Sequence, residues 1–385
     1  MITSFKVSIP QKILDDLNSR IHHTRWTDEI KDSGWKNGAS LSYMKELAQY
    51  WQNIFDWRKT ENEINAYPNF IAEIDGYKIH FLHIKGTGRK KFPLIITHGW
   101  PGSFLEMMEL IPLLTGNNEF DFDLVIPSLM GFGLSQRVTE PGCNVRFMAD
   151  LWQKLMMELG YEKFGAQGGD FGAGVSTVLA LKYPQQLIGL HLNYIPGSYT
   201  PHLPVGKQQL TDEEIKFEKD RDDWYSREGA YALLHSTKAL TLAHALNDSP
   251  IGLCAWLVEK FHGWSDCKGD IESVFTKEQL LANVTLYWVT ETIHSSIRLY
   301  NENAKAQFRF SKDDFVKVPV GIARFPLEEP FPPRMYIERG FNIQHWTNMP
   351  EGGHFAAMEQ PGLLSNDIRE FFEKITLRGA DVNGE

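Results

Sequence analysis

An aspartate set in a glycine-lined turn is the residue of this chain with the most chemistry to offer. Gly168-Gly169-Asp170-Phe171-Gly172 has small-x-nucleophile-x-small spacing with a carboxylate at its centre. The run Lys163-Phe164-Gly165-Ala166 ahead of it predicts a strand, and Val175 through Lys182 predicts a helix. That is the strand–tight turn–helix setting of a nucleophile elbow. Glycine permits the strained turn and a close approach of helix to strand. The central residue decides the reaction. A serine acylates itself on a carbonyl; on an sp3 carbon it would form an ether that such a site cannot cleave. A carboxylate attacking the same carbon forms an alkyl ester, which activated water can hydrolyse. The motif therefore predicts attack on strained or activated alkyl carbon, against the plainer reading of an acidic residue in a glycine-rich turn.

Such an ester needs a base, an acid to orient the base, and donors for an oxyanion. His354, in Glu351-Gly352-Gly353-His354-Phe355, follows the last predicted strand and is the last of 13 histidines. It fits the chain order nucleophile, acid, histidine. Glu328 and Glu329 come directly after Ala323-Arg324-Phe325-Pro326-Leu327, the end of a predicted strand. Asp313 and Asp314 precede that strand and belong at its far end; spacing leaves 328 against 329 open. The expected oxyanion donors are the backbone N–H groups of Phe171 and of Trp100, the latter in His98-Gly99-Trp100-Pro101-Gly102-Ser103. His98 reads as a structural part of that loop. Opening an epoxide also calls for a proton donor across from the nucleophile, and a phenol suits because it is neutral near pH 7. Tyr194, Tyr199, Tyr225, Tyr231, Tyr287 and Tyr300 are the candidates.

The elements that must hold these groups can be read from periodicity. Residues 1–70 look helical and polar-faced, with a helix from Pro10 through Leu17 and another over Tyr43 to Trp51. Phe70 through Leu82 reads as a hairpin turning at Asp75-Gly76. Short apolar runs at 92–97, 122–127, 163–166 and 187–192 alternate with helical stretches, which predicts a mostly parallel sheet. From about 196 to 306 the alternation gives way to helices, one starting at Ser249-Pro250. Strand signals return at 318–325 and 341–346. The expected organisation is an N-terminal helical meander (1–70), a first core part (71–195), a helical lid (196–306) and a second core part (307–385), with the tail from Arg378 frayed. The lid would sit at the carboxyl ends of the strands, where open α/β sheets bind ligands.

Composition narrows the partners. The 385 residues carry a net charge of −10, which argues against nucleic acid or anionic membrane. Three cysteines without metal or redox spacing point to a reduced, cytoplasmic setting. No signal peptide, membrane anchor or spanning segment is read, and no metal or cofactor motif. Aromatic residues make up 12% of the chain, enough for a core and a lined apolar pocket. A homodimer is compatible with the sequence but not specified by it.

With those residues in hand, the chain resembles the epoxide hydrolases of the microsomal type within the α/β-hydrolase superfamily, over nearly its whole length. The resemblance rests on residues 98–103, on Pro127-Ser128-Leu129-Met130-Gly131-Phe132-Gly133-Leu134-Ser135, on Gly168-Gly169-Asp170, and on Ala245-Leu246-Asn247-Asp248-Ser249-Pro250. Phe325-Pro326-Leu327-Glu328, Gly352-Gly353-His354-Phe355-Ala356-Ala357 and Phe55-Asp56-Trp57-Arg58 add to it. It implies an α/β-hydrolase fold, Asp170 as nucleophile, His354 as base and Glu328 as acid. It also implies Tyr231 (in Tyr231-Ala232-Leu233-Leu234-His235-Ser236-Thr237-Lys238) and Tyr300 (in Ile297-Arg298-Leu299-Tyr300-Asn301-Glu302-Asn303) as proton donors. Phe171 stands where many members carry tryptophan, and Met130 where proline is frequent. The expected reaction is cofactor-free hydrolysis of a small hydrophobic epoxide to a vicinal diol through an aspartyl ester, in a soluble member of the family. The rival readings are a haloalkane dehalogenase using the same nucleophile and a non-enzymatic ligand-binding protein that keeps the fold.

Overall fold

A computed structural model describes residues 1–116, 119–203, 210–307 and 309–382. Among the described residues nine strands form one sheet: β1 (Ile2–Phe5), β2 (Asn69–Ile74), β3 (Tyr77–Ile84), β4 (Lys90–Thr97), β5 (Phe120–Pro127), β6 (Phe164–Gly168), β7 (Leu187–Leu192), β8 (Val316–Arg324) and β9 (Phe341–Asn348). Their order is β1-β2-β3-β5-β4-β6-β7-β8-β9. From β5 through β9 all neighbours are parallel, and β1, β2 and β3 extend that sheet by antiparallel pairing. This is the α/β-hydrolase architecture. The inner strands are apolar runs because helices cover both faces: every residue of β5 and β6 is buried.

Chain order places the site. β4 lies between β5 and β6, so the connections leaving β4 and β6 run to opposite sides and open a crevice at their carboxyl ends. Thr97 and Gly168, the last residues of the two strands, are register partners. The loop 98–103 and the elbow therefore leave the sheet side by side. At the same edge, Arg324 of β8 pairs with Asn348 of β9, bringing the loops that carry Glu328 and His354 together.

The helix Asp170–Lys182 follows the elbow and is buried on all sides from Gly172 to Ala180, so it lacks a polar face. Among the described residues between β7 and β8 lie five long helices, Asp212–Glu228, Ala230–Leu246, Pro250–Trp264, Lys277–Thr290 and Ile293–Lys305. Ser249 caps the third by accepting from the Gly252 N–H at 3.0 Å, with Pro250 in its first turn. The N-terminal helices pack on this group, and Trp51 donates its indole N–H to Thr285 at 3.0 Å.

Two expectations need correction. The N-terminal stretch is not helical throughout, because Ile2–Phe5 is an edge strand on β2. Four residues are too few to show a period, and the pairing partner lies some seventy residues away. The tail is also more ordered than expected. Helix Pro361–Val382 runs past Arg378, anchored by buried Ile368, Phe371, Phe372 and Ile375; residues 383–385 lie outside the described residues. Among the described residues, no helix is long and apolar enough to cross a membrane.

Candidate active site

Asp170 sits in the left-handed region with φ +45°, a conformation that costs a non-glycine residue and points its side chain out of the turn. The turn closes against the sheet so tightly that a Cβ on Gly172 would lie 1.9 Å from the Thr97 carbonyl oxygen. The carboxylate meets donors on one side. Oδ1 accepts from the Trp100 N–H at 2.8 Å, and the Phe171 N–H also hydrogen-bonds the carboxylate. The latter is one of the free donors at the start of helix Asp170–Lys182, whose positive end faces the charge. Burial pushes the Asp170 pKa up, while His354 and these two N–H groups pull it back.

On the other side, His354 Nε2 lies 3.8 Å from Asp170 Oδ2. Its Nδ1 faces Glu328, 3.1 Å from Oε1 and 2.9 Å from Oε2. A carboxylate at Nδ1 keeps the hydrogen there and leaves Nε2 as the working nitrogen. Burial opposes charge on the ring, but Glu328, then Asp170 and Glu106, outweigh it and raise the His354 pKa to about 9. The free site is therefore a carboxylate–imidazolium–carboxylate row. Asp313 and Asp314 lie before β8, at the end of the sheet away from this row.

The loop that carries His354 is held by a residue the sequence reading passed over. Glu359 accepts from the N–H groups of Gly353 at 2.9 Å, Phe355 at 2.9 Å and Asp266 at 2.7 Å, clamping the backbone on both sides of the histidine. The His354 N–H itself donates to the Trp264 carbonyl at 2.9 Å. His98 accepts from the Leu129 N–H at Nε2 (3.1 Å), and its Nδ1 is 3.0 Å from the Gly99 carbonyl. Both nitrogens are thereby engaged in shaping the loop.

The six candidate tyrosines separate into three pairs. Tyr287 donates to the Gly102 carbonyl at 2.8 Å and Tyr199 to the Tyr336 carbonyl at 3.0 Å, so both serve packing. Tyr231 and Tyr300 come from different helices and share a hydrogen bond, their rings 5.8 Å apart and crossed at 84°. Trp100 stacks on Tyr231 at 5.4 Å, and Phe171 meets Tyr300 edge-on at 4.8 Å. The residues that supply the two Asp170 N–H donors thus also brace the two phenols. Tyr194 and Tyr225 line a cavity of about 250 Å3 that also touches Asp170, Tyr231, Trp264, Glu328 and His354.

Comparison with known proteins fits this arrangement to a family. The Epoxide hydrolase N terminus family matches residues 2–107, and the alpha/beta hydrolase fold family matches residues 93–228. A relative from Stigmatella aurantiaca is 41% identical, the match covering 97% of this chain and 85% of its own. Epoxide hydrolase 1 of Oryctolagus cuniculus is 37% identical across 96% of this chain and 88% of its own. The chain belongs to the microsomal-type epoxide hydrolases. The solved structure of the Aspergillus niger epoxide hydrolase, 30% identical, superposes with a TM-score of 0.86 across 97% of both chains. The activity is that of an epoxide hydrolase, which adds water across an epoxide to give a diol.

Proposed function

We propose that this epoxide hydrolase works through an ester on Asp170 and accepts hydrophobic epoxides in the cavity under the helical insertion. The observation that carries the reading is the unlike treatment of the two Asp170 oxygens. Oδ1 is held by the Trp100 N–H at 2.8 Å, whereas Oδ2 faces His354 and the cavity. Oδ2 attacks an epoxide carbon, the ring C–O bond breaks, and Tyr231 or Tyr300 protonates the departing oxygen; the phenolate regains a proton from solvent as the imidazolium of His354 releases one, which leaves His354 neutral for the second step. His354 Nε2 then takes a proton from water as the water oxygen bonds to Cγ of Asp170. Because the ester carbonyl belongs to the enzyme, the oxyanion forms on Oδ1, already beneath the Trp100 and Phe171 N–H groups. Such donors are worth roughly 3 kcal/mol each in related chemistry. Collapse breaks the acyl C–O bond, the alkoxide takes the proton from His354, and the diol leaves. The described residues of 196–306 act as a lid over the described residues of the core parts 71–195 and 307–385, with the helices of the 1–70 segment packed on it. Phe217, Trp224 and Leu327 give the cavity an apolar wall.

Oxygen-isotope tracing tests this. In a single turnover with enzyme in excess and oxygen-18 water, the ester route leaves the diol unlabelled and puts the label into the Asp170 carboxylate. Labelled diol in the first turnover would mean that water attacks the epoxide directly, and the reading fails.

A pH dependence follows from the charge row. In the free enzyme His354 holds its proton up to about pH 9. Alkylation turns Asp170 into a neutral ester and removes one of the anions that raise that pKa, so the imidazole becomes a base at lower pH. Hydrolysis needs neutral His354, so its rate constant rises with pH to a plateau whose midpoint lies below about 9. Stopped-flow single turnovers, separating ester formation from decay across pH, measure it. A decay rate independent of pH would remove His354 from this role.

A further inference from the structure

Behind Asp170 lies a second, much smaller cavity. It shares Asp170 and His354 with the larger one but contains none of the tyrosines, and its lining includes Gly99, Glu106, Gln167 and Asn193. Its volume is about 20 Å3, room for a single water molecule. Its wall is polar. Gln167, 1% exposed, spends its amide N–H on Asn193 at 2.8 Å and leaves Oε1 buried without a partner.

Glu106 is the unusual member of that wall. It is buried, with no lysine or arginine paired to it among the described residues. Its carboxyl lies directly over Gly102, where a Cβ would fall 1.1 Å from Oε1. Part of its placement is local. Ser103-x-x-Glu106 is a capping arrangement for the short turn Phe104–Met107, in which Ser103 accepts from the Leu105 N–H at 3.3 Å and the carboxyl accepts from the Ser103 N–H. A cap needs only that one bond and normally stays wet. This one turns inward, and burial lifts its pKa to about 8, with His354 opposing the rise and Asp170 adding to it. The neutral acid can donate to a water as well as accept from one.

We propose that Glu106 is a positioning residue for ester hydrolysis, holding with Gln167 one water in this cavity against His354 and the acyl carbon of Asp170. The inference rests on the Asp170-ester reading above. His354 takes the proton of the held water and its oxygen bonds to Cγ; Glu106 exchanges no proton in the balance. Water stored on the side away from the tyrosines meets the ester carbonyl without having shared the cavity with the epoxide.

The test compares Glu106→Met, Glu106→Asp and Glu106→Gln in single turnovers with styrene oxide, reading ester formation and decay separately. Misplacing the water by about an ångström costs on the order of 100-fold. Decay in the Met and Asp variants should therefore slow about 10- to 100-fold with formation nearly unchanged, while Gln, which keeps a donor and an acceptor, stays near wild type. Asp decides alone if the Met variant does not fold. Decay at the wild-type rate in Met or Asp, or equal slowing of both steps, overturns the proposal. Absence of any ester, in these variants and in His354→Gln alike, instead defeats the underlying Asp170 reading.

Discussion

Replacing His354 with glutamine is expected to stop the enzyme halfway, with the substrate joined to Asp170. Intact-protein mass spectrometry after mixing with styrene oxide should show one added substrate mass, mapping to the peptide that holds Asp170. Ring opening depends on Oδ2 and the phenols, none of which the change touches. The Trp100 and Phe171 N–H groups still hold the carboxylate, although loss of the neighbouring positive charge leaves more of Asp170 protonated and ring opening modestly slower. Hydrolysis depends on Nε2, and glutamine offers no base there. Loss of a general base costs roughly 100- to 10,000-fold, so steady-state turnover should fall by about that factor while a burst of one equivalent survives. Asp170→Asn should give no adduct at all. A His354→Gln variant that is equally slow yet carries no adduct would place the histidine in ring opening instead.

Much of the frame that delivers these groups could be read in the sequence because its causes are local. The β4 to β9 runs, the Asp75-Gly76 turn and the Ser249 cap each announce themselves within a few residues. The turn, for instance, has both central residues at positive φ, as its Asp-Gly pair demands. Asp170 and His354 were legible for a similar reason, since each lies in a glycine-rich turn just past a strand. Other features depend on what distant segments bring. Nothing near Glu328 and Glu329 tells them apart. In the fold Glu328 is 5% exposed and reaches His354, whereas Glu329 is exposed. β1 becomes a strand only because β2 offers an open edge. Glu106 carried the Ser-x-x-Glu signature of a helix cap, and that signature gives no hint that the carboxyl faces inward. Lys260, 7% exposed, stands over the Tyr231 ring at 4.8 Å, and no spacing rule relates residues 29 positions apart on different helices.

The tyrosine pair makes the other large prediction, and its size depends on how the two phenols share the work. Tyr231 and Tyr300 pack half-buried against the Trp100–Phe171 side of the site, and desolvation there drives both pKa values well above 10, with Asp170 among the charges that add to it. Each therefore keeps its proton through the working range, and the shared hydrogen bond lets either one support the oxyanion left by the other. The ammonium of Lys260 over the Tyr231 ring favours charge on that phenol as it donates. Tyr231→Phe or Tyr300→Phe alone should thus slow ester formation about 10- to 100-fold, since one donor remains. The double variant should lose about 10,000-fold, at least the product of the two single losses, because groups that act as a unit are not additive. Decay of any ester that does form should be little changed, as water and His354 work on the acyl carbon and not on the former epoxide oxygen. Rapid-mix measurement of the two steps separates these outcomes. Ester formation at the wild-type rate in the double variant would mean that the proton comes from another group and that this pair only packs.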